Sequence, residues 1–216
     1  MPAARIHLVR HGEVANPTGV LYERLDGFPL SARGHAMADA AAAALQADGI
    51  AVGRLLCSPL ERTRQSAQPW ADRFGVEAEA DERLIEPWNR FAGRAFGMGA
   101  GLLLRPWAWR HLLNPAKPSW GEPFTEVAAR MFDAMNAAAD AATGSGDIVM
   151  VSHQMPICMV QRSVAGLPLP HDPRKRRVAL SSITTFDRAE DGSWSEVAYR
   201  DPAAQLATEA VDRGAV

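Results

Sequence analysis

Lysine is almost missing from this chain: of its 23 strong bases only Lys117 and Lys175 are lysines, and the rest are arginines. Arginine's planar fork suits phosphate and carboxylate, but alanine is abundant too, so the skew is compatible with an anion site without indicating one. Cysteine is as scarce. Cys57 and Cys158 are far apart and each lies in an apolar context, which argues against a disulfide framework or a cysteine-based metal site and reads as two buried free thiols in a reducing compartment. Excess charge is missing as well: the formal net charge is -2, so the balance gives no reason to expect a nucleic-acid partner. No apolar run approaches membrane-spanning length, and the few residues between Arg5 and Arg10 are too short for a signal-peptide core. A cytoplasmic protein without a membrane partner is the expectation. Repeats, heptads and low-complexity tracts are also lacking.

What is present is enough apolar material for one well-buried core: 216 residues, 47% hydrophobic and 22% charged, read as a single domain over residues 1–216. Strand-like and helix-like segments alternate. Ile6-His7-Leu8-Val9 is a short apolar run, followed by a turn-rich stretch at 14–30 that is long enough to cover the strand end. Ser31 is an N-cap for an alanine-rich helix over 32–47, stopped by Gly49. Arg54-Leu55-Leu56-Cys57 is a second strand. Ser58-Pro59-Leu60-Glu61 then combines an N-cap serine, a first-turn proline and a glutamate three residues on, and so predicts a helix from Ser58 to the stop at Gly75. Residues 77–81 alternate as an edge strand.

Four of the six tryptophans, Trp88, Trp107, Trp109 and Trp120, fall between Glu86 and Gly121, together with Phe91, Phe96 and several glycines. That texture is expected of an aromatic-rich lid inserted at about 86–121. A helix opened by Pro123 with Val127, Met131 and Met135 along one face follows. The continuous apolar run Asp147-Ile148-Val149-Met150-Val151 reads as a strand buried on both faces of a parallel sheet. Residues 154–165 form the next helix, and residues 178–186 and 194–199 a hairpin across Asp191-Gly192. Together these predict a three-layer α/β/α fold with a mostly parallel central sheet.

In such a sheet ligands bind beyond the carboxyl ends of the strands. Two strands end in histidine there, His11 and His153, and Arg62 at the start of the following helix and Glu86 after the edge strand belong to the same rim. Taken alone, Arg10-His11 is more often a polar cap on a strand than a site, and a lone Arg62 points into water about as often as not. Four residues converging on one edge outweigh that. His7 faces into the sheet and reads as structural. His7, His11 and His153 do not make a metal-dependent hydrolase, since no Asp/Glu/His cluster at ligand spacing accompanies them.

Arg10-His11-Gly12-Glu13 resembles the Arg-His-Gly signature of the histidine phosphatase superfamily, the fold of cofactor-dependent phosphoglycerate mutases and many phosphatases. Three further segments are similar to that family and come in its order: Cys57-Ser58-Pro59-Leu60-Glu61-Arg62 with Thr63-Arg64-Gln65-Ser66-Ala67, Asp81-Glu82-Arg83-Leu84-Ile85-Glu86, and Val151-Ser152-His153. The resemblance implies a phosphoglycerate mutase-like fold in which His11 is the nucleophile, Arg10, Arg62 and a partly protonated His153 bind the phosphoryl oxygens, and Glu86 is the general acid. It implies no cofactor and no metal. Glu86 is followed by Pro87-Trp88-Asn89-Arg90 where family mutases continue Arg-x-Tyr-Gly, so Glu82 stands as the alternative acid. Asn16 comes one place earlier than the family's asparagine, and Arg24 on the same loop either reaches substrate or is solvated.

A mutase needs a strongly basic lid to retain a doubly phosphorylated acid, and this lid is aromatic. The expected activity is therefore hydrolysis of a small phosphate monoester, with an apolar or ring-bearing portion against Trp88, Phe91, Trp107 or Trp109. The alternatives are a phosphoglycerate-type mutase and, less favoured because all five site residues are present, a non-catalytic phosphate-ester binding module. Sequence leaves oligomeric state open, and a homo-oligomer is compatible with it.

Overall fold

A computed structural model describes residues 4–90, 92–93, 121–142, 144–208 and 210. The first strand, β1 (Ala4–Arg10), leads through the 14–30 loop to α1 (Ala32–Ala47), and β2 (Val52–Cys57) leads to α2 (Glu61–Phe74). A short β3 (Ala78–Ala80) is followed by a 3-10 turn at Glu82–Leu84. Then come α3 (Phe124–Asp140), β4 (Asp147–Ser152), α4 (Gln154–Val164), the hairpin β5 (Ile183–Arg188) and β6 (Trp194–Arg200), and a final turn of helix, α5 (Ala204–Ala207).

The strands form one sheet in the order β3-β2-β4-β1-β5-β6. The four that carry the expected rim are parallel, and β5 and β6 close the far side antiparallel. Strand alternation splits the core in two. Ile6, Leu8, Ile148 and Met150 pack against Val127, Met131 and Met135 of α3 and Ile157 and Val160 of α4. Val9, Leu55, Val149 and Val151 pack on the other face against Ala41 and Leu45 of α1 and Ala67 and Trp70 of α2. This is the three-layer architecture that the periodicities predicted. His7 is 2% exposed and bonds Thr185 Oγ1 and Asp147 Oδ2, both at 2.9 Å, a satisfied histidine within the sheet.

Two expectations fail. The second helix begins at Glu61, its N-cap is Leu60, and no side chain caps it. Ser58 sits too far back to reach the helix amides. Its hydroxyl bonds His153 instead, while its carbonyl accepts from Thr63 Oγ1. Residues 178–182 are likewise not strand. Ser181 has φ 55 and the Ser182 amide turns back to the Ala179 carbonyl, so this segment crosses the sheet end before β5 begins at Ile183. β-branched residues at 183–185 continue the pattern; the turn upstream serves the rim. The lid expected at about 86–121 lies largely outside the described residues, Phe91, Trp107 and Trp109 included.

The chain leaving β1 is clamped against α1 by backbone. A Cβ on Gly12 would lie 2.3 Å from the Gly34 carbonyl oxygen, and one on Gly34 would lie 2.0 Å from that of Glu13. Ser31 caps α1 by accepting from the Gly34 amide at 3.0 Å and donating to Glu13 Oε2 at 2.5 Å. A helical Gly→Ala change ordinarily stabilises by about 1 kcal/mol. Here the added methyl meets rigid backbone, so Gly34→Ala is expected to destabilise by about 1–3 kcal/mol. Denaturant unfolding measures it; a raised midpoint at unchanged slope would contradict the clamp.

Candidate active site

Strand register alone brings the two histidines together. β1 and β4 are neighbours in parallel, with Arg10 opposite Ser152, so the next residue of each chain falls at the same depth. The His11 amide donates to the Ser152 carbonyl at 3.1 Å, and the His11 and His153 rings meet edge to face with centroids 5.2 Å apart. Arg10 is fully buried and donates through Nη1 to the Val178 carbonyl at 2.8 Å. The turn at 178–182, misread from sequence as strand, is thus what holds the signature arginine.

His11 Nδ1 lies 2.7 Å from the carbonyl of Gly12. A carbonyl only accepts, so Nδ1 carries the proton and the lone pair sits on Nε2. Burial, and then the charges of Arg62 and Arg10, push the His11 pKa well below its ordinary value, so the ring is neutral and nucleophilic at pH 7. Gly12 is held in turn by Ser66 of α2, whose hydroxyl accepts from the Gly12 amide at 3.1 Å and donates to the Arg62 carbonyl at 2.8 Å.

Arg62 enters from the first turn of α2 and is 1% exposed. Its Nη2 donates to the Glu23 carbonyl at 2.5 Å and lies 3.3 Å from His153 Nδ1, and its guanidinium stands over the Tyr22 ring at 4.8 Å. Among the described residues its Nε has no partner. The solvent-facing alternative for Arg62 is therefore ruled out. His153 Nδ1 accepts from Arg62, which leaves the proton on Nε2 for Ser58 Oγ at 2.8 Å. Burial, Arg62 and His11 push His153 well below its ordinary pKa too. The partly protonated His153 expected from the resemblance is thus not the resting form; an anion against Arg62 is what would raise it.

Glu86 is 7% exposed, with Oε2 3.5 Å from His153 Nδ1. The Ser152 hydroxyl donates to the Leu84 carbonyl at 2.7 Å and Arg24 Nε to the Glu86 carbonyl at 2.5 Å, which fixes its backbone from both sides. Burial raises its pKa above the ordinary carboxylate value, against the opposing pull of Arg62, Arg176, Arg10 and Arg130. Glu82, the alternative acid, is exposed on the 3-10 turn. Arg24 is not free, since its Nη2 also pairs with Glu122 at 2.8 Å, while its side chain stays 36% exposed.

Sequence reasoning missed Glu23, Ser58 and Ser66, which touch Arg62, His153 and Gly12 respectively. Ser58 and Ser66 lie in the helix-start segment and were legible only as helix chemistry. Glu23 sits in an aperiodic loop, where nothing but the fold distinguishes it. Among the described residues no group of three or more His, Cys, Asp or Glu is placed to hold a metal ion, and no helix is long and apolar enough to cross a membrane.

Comparison with known proteins gives a match to the model of the histidine phosphatase superfamily (branch 1) over residues 6–202. The uncharacterized protein Rv0525 of Mycobacterium tuberculosis is 45% identical over 205 residues, covering 93% of this chain and 97% of that one. A probable phosphoglycerate mutase of Yersinia enterocolitica is 30% identical over 201 residues, 86% of each. The solved mycobacterial glucosyl-3-phosphoglycerate phosphatase in complex with VO3 superposes with a TM-score of 0.72 at 23% identity, covering 90% of this chain and 97% of that one. At this identity the superposition speaks for the fold.

A ring nitrogen at pH 6.5 would be about half protonated in an ordinary histidine. His11 and His153 are expected to give neutral-imidazole nitrogen shifts by NMR at that pH, and added inorganic phosphate should move His153 toward the protonated form. Half-protonated rings before phosphate is added would contradict the electrostatic account.

Proposed function

The chain belongs to the histidine phosphatase superfamily, and from that premise we propose that it is a phosphatase that hydrolyses a small-molecule phosphate monoester through a phosphohistidine on His11. The observation that carries this is the tautomer of His11, whose Nδ1–H is bound to the Gly12 carbonyl beside Arg62 and Arg10. It leaves a neutral Nε2 with a free lone pair in a pocket of two buried guanidinium groups.

In the first half-reaction Nε2 of His11 attacks phosphorus and the bond to the ester oxygen breaks. Arg10, Arg62 and His153 hold the equatorial oxygens as their charge is redistributed. The anion offsets the two arginines and favours a proton on His153, which then binds as a cation. Glu86 gives its proton to the leaving oxygen, a task suited to a carboxyl whose pKa burial has raised. In the second half-reaction a water attacks phosphorus, the Glu86 carboxylate takes its proton, and the P–N bond breaks to release phosphate and neutral His11. No step calls for a metal or a cofactor.

The 30% likeness to a probable phosphoglycerate mutase favours a second reading, transfer of the same phosphoryl group to an acceptor hydroxyl. The two differ only in what attacks phosphohistidine. A panel of metabolite monophosphates assayed for inorganic phosphate, with isotope-labelled phosphate traced to water or to product, separates them; efficient interconversion of phosphoglycerates without comparable phosphate release would overturn the phosphatase reading. The proposal keeps a ring-bearing substrate portion, with Trp88, two residues after Glu86 and 41% exposed, as the described aromatic proposed to meet it.

With a substrate in hand, His11→Ala is expected to lower kcat/KM on the order of 10⁴-fold or more, and Glu86→Gln by roughly 10²–10⁴-fold. Glu82→Gln should stay within about twofold of the parent, as for an exposed side chain away from the chemistry. Loss at Glu82→Gln, with Glu86→Gln slowing turnover no more than a surface change, would move the acid to Glu82.

A further inference from the structure

The segment that carries Glu86 has no regular structure to hold it. β3 ends at Ala80, and beyond the 3-10 turn at Glu82–Leu84 the chain runs irregularly through Pro87, so no strand ladder reaches the acid. The Ser152 hydroxyl takes the Leu84 carbonyl. Three further carbonyls of the segment are taken by groups that trace to one residue, Glu122, which is 9% exposed and lies just ahead of α3. Arg130 of α3 binds the Glu122 carboxylate fork to fork, Nε to Oε1 at 2.7 Å and Nη2 to Oε2 at 3.3 Å, and gives its remaining Nη1 to the Arg83 carbonyl at 2.5 Å. Arg24, from the loop that covers the strand ends, gives Nη2 to the same Oε2 at 2.8 Å and Nε to the Glu86 carbonyl at 2.5 Å. The Glu122 amide donates to the Trp88 carbonyl at 3.2 Å, and Gly121 bridges Asn89.

A buried carboxylate shared by two arginines is a poor source of stability, because desolvation offsets much of the attraction between the charges. What such a cluster supplies is fixed geometry. A general acid must come within hydrogen-bond reach of the bridging oxygen, and a displacement of about 1 Å can cost about 10²-fold. The cluster also keeps both arginines engaged. A guanidinium paired with the Glu86 carboxyl would favour its ionised form, but among the described residues Arg24 and Arg130 bridge only to Glu122. They meet the segment of the acid at its carbonyls, on both sides of the Glu86 side chain.

We propose that Glu122 is a positioning residue for the reaction: through Arg24, Arg130 and its own amide it clamps residues 83–88 so that the Glu86 carboxyl is aimed at the leaving oxygen. This rests on the phosphatase reading with Glu86 as the acid. Glu122 touches no reacting atom and acts only through the segment it holds. The same strap joins that segment to the covering loop, where the residue before Arg24 gives its carbonyl to Arg62, so the acid and one of the phosphate-binding arginines are set from one anchor.

The test compares the parent with Glu122→Gln and Arg130→Gln on two esters, read as kcat/KM, which reports the half-reaction in which Glu86 is the acid. Arg130→Gln cuts only the α3 arm, leaves Arg24 and the covering loop in place, and keeps the test open if Glu122→Gln impairs folding. For 2-glycerol phosphate, whose alkoxide needs a proton, Glu122→Gln is expected to lower kcat/KM by about 10- to 100-fold and Arg130→Gln by about tenfold. For 4-nitrophenyl phosphate, whose leaving group needs none, both should stay within about threefold of the parent. Equal losses on the two esters would overturn the proposal, since a general loosening reaches Arg62 through the loop; unchanged activity on both would overturn it too. Hydrogen exchange at the Leu84 and Ile85 amides, which donate to the Asp81 and Glu82 carbonyls at 3.1 and 3.2 Å, needs no turnover. It is expected to quicken at least about tenfold in both variants while the amides of β1 and β4 keep their rates, and exchange at the parent rate would overturn the clamp. A parent that hydrolyses neither ester would sink the phosphatase reading, and the exchange rates would still decide whether Glu122 holds the segment.

Discussion

The parallel pairing of β1 with β4 is the constraint from which the site follows. With Arg10 opposite Ser152, a histidine one residue beyond each strand must arrive at the same edge. A slip of one residue would turn one ring away and also carry Ile6, Leu8, Ile148 and Met150 off the α3–α4 core. The hydrophobic pattern that stabilises the sheet therefore also fixes where His11 and His153 meet. The same edge takes Arg62 from α2 and Glu86 from the turn after β3, because both neighbouring strands run the same way and end at the same level.

Electrostatics then assign the roles. Desolvation disfavours the charged forms in this pocket, pushing His11 and His153 below and the Glu86 carboxyl above their ordinary pKa values. Arginine alone stays charged in such a place. These directions are the ones that the proposed phosphoryl transfer to histidine calls for, a nucleophile without a proton on its attacking nitrogen and an acid slower to lose its own. The arginines are held by carbonyls, Val178 for Arg10 and Glu23 for Arg62. A carbonyl oxygen positions a guanidinium without neutralising it, as the Glu23 carbonyl does for Arg62.

The elements carrying the site were legible because each has a strong local signal. The unbroken apolar run of β4, the Ser31 cap of α1 and the glycine at the end of α2, with φ 66, all speak through short-range physics. The errors fell where tertiary contacts override local ones. Ser58 has the composition of an N-cap, but a buried histidine at 2.8 Å is the stronger claim on its hydroxyl. Residues 178–182 have strand composition, yet they are turned across the sheet end, where the Val178 carbonyl takes the Arg10 guanidinium. Glu23 could not be read at all, since a glutamate on an irregular loop carries no periodicity and its burial exists only once the loop is folded over Arg62.

The central claim is that neutral His11 attacks through Nε2. Substrate labelled with phosphorus-32 and quenched in alkali within the first turnover would trap the phosphoenzyme, and peptide mapping with phosphorus-31 NMR would locate the phosphoryl group. The account predicts alkali-stable, acid-labile phosphate on His11 at Nε2, absent from His11→Ala. Phosphate on His153, at Nδ1 of His11, or on no residue while turnover proceeds, would contradict it.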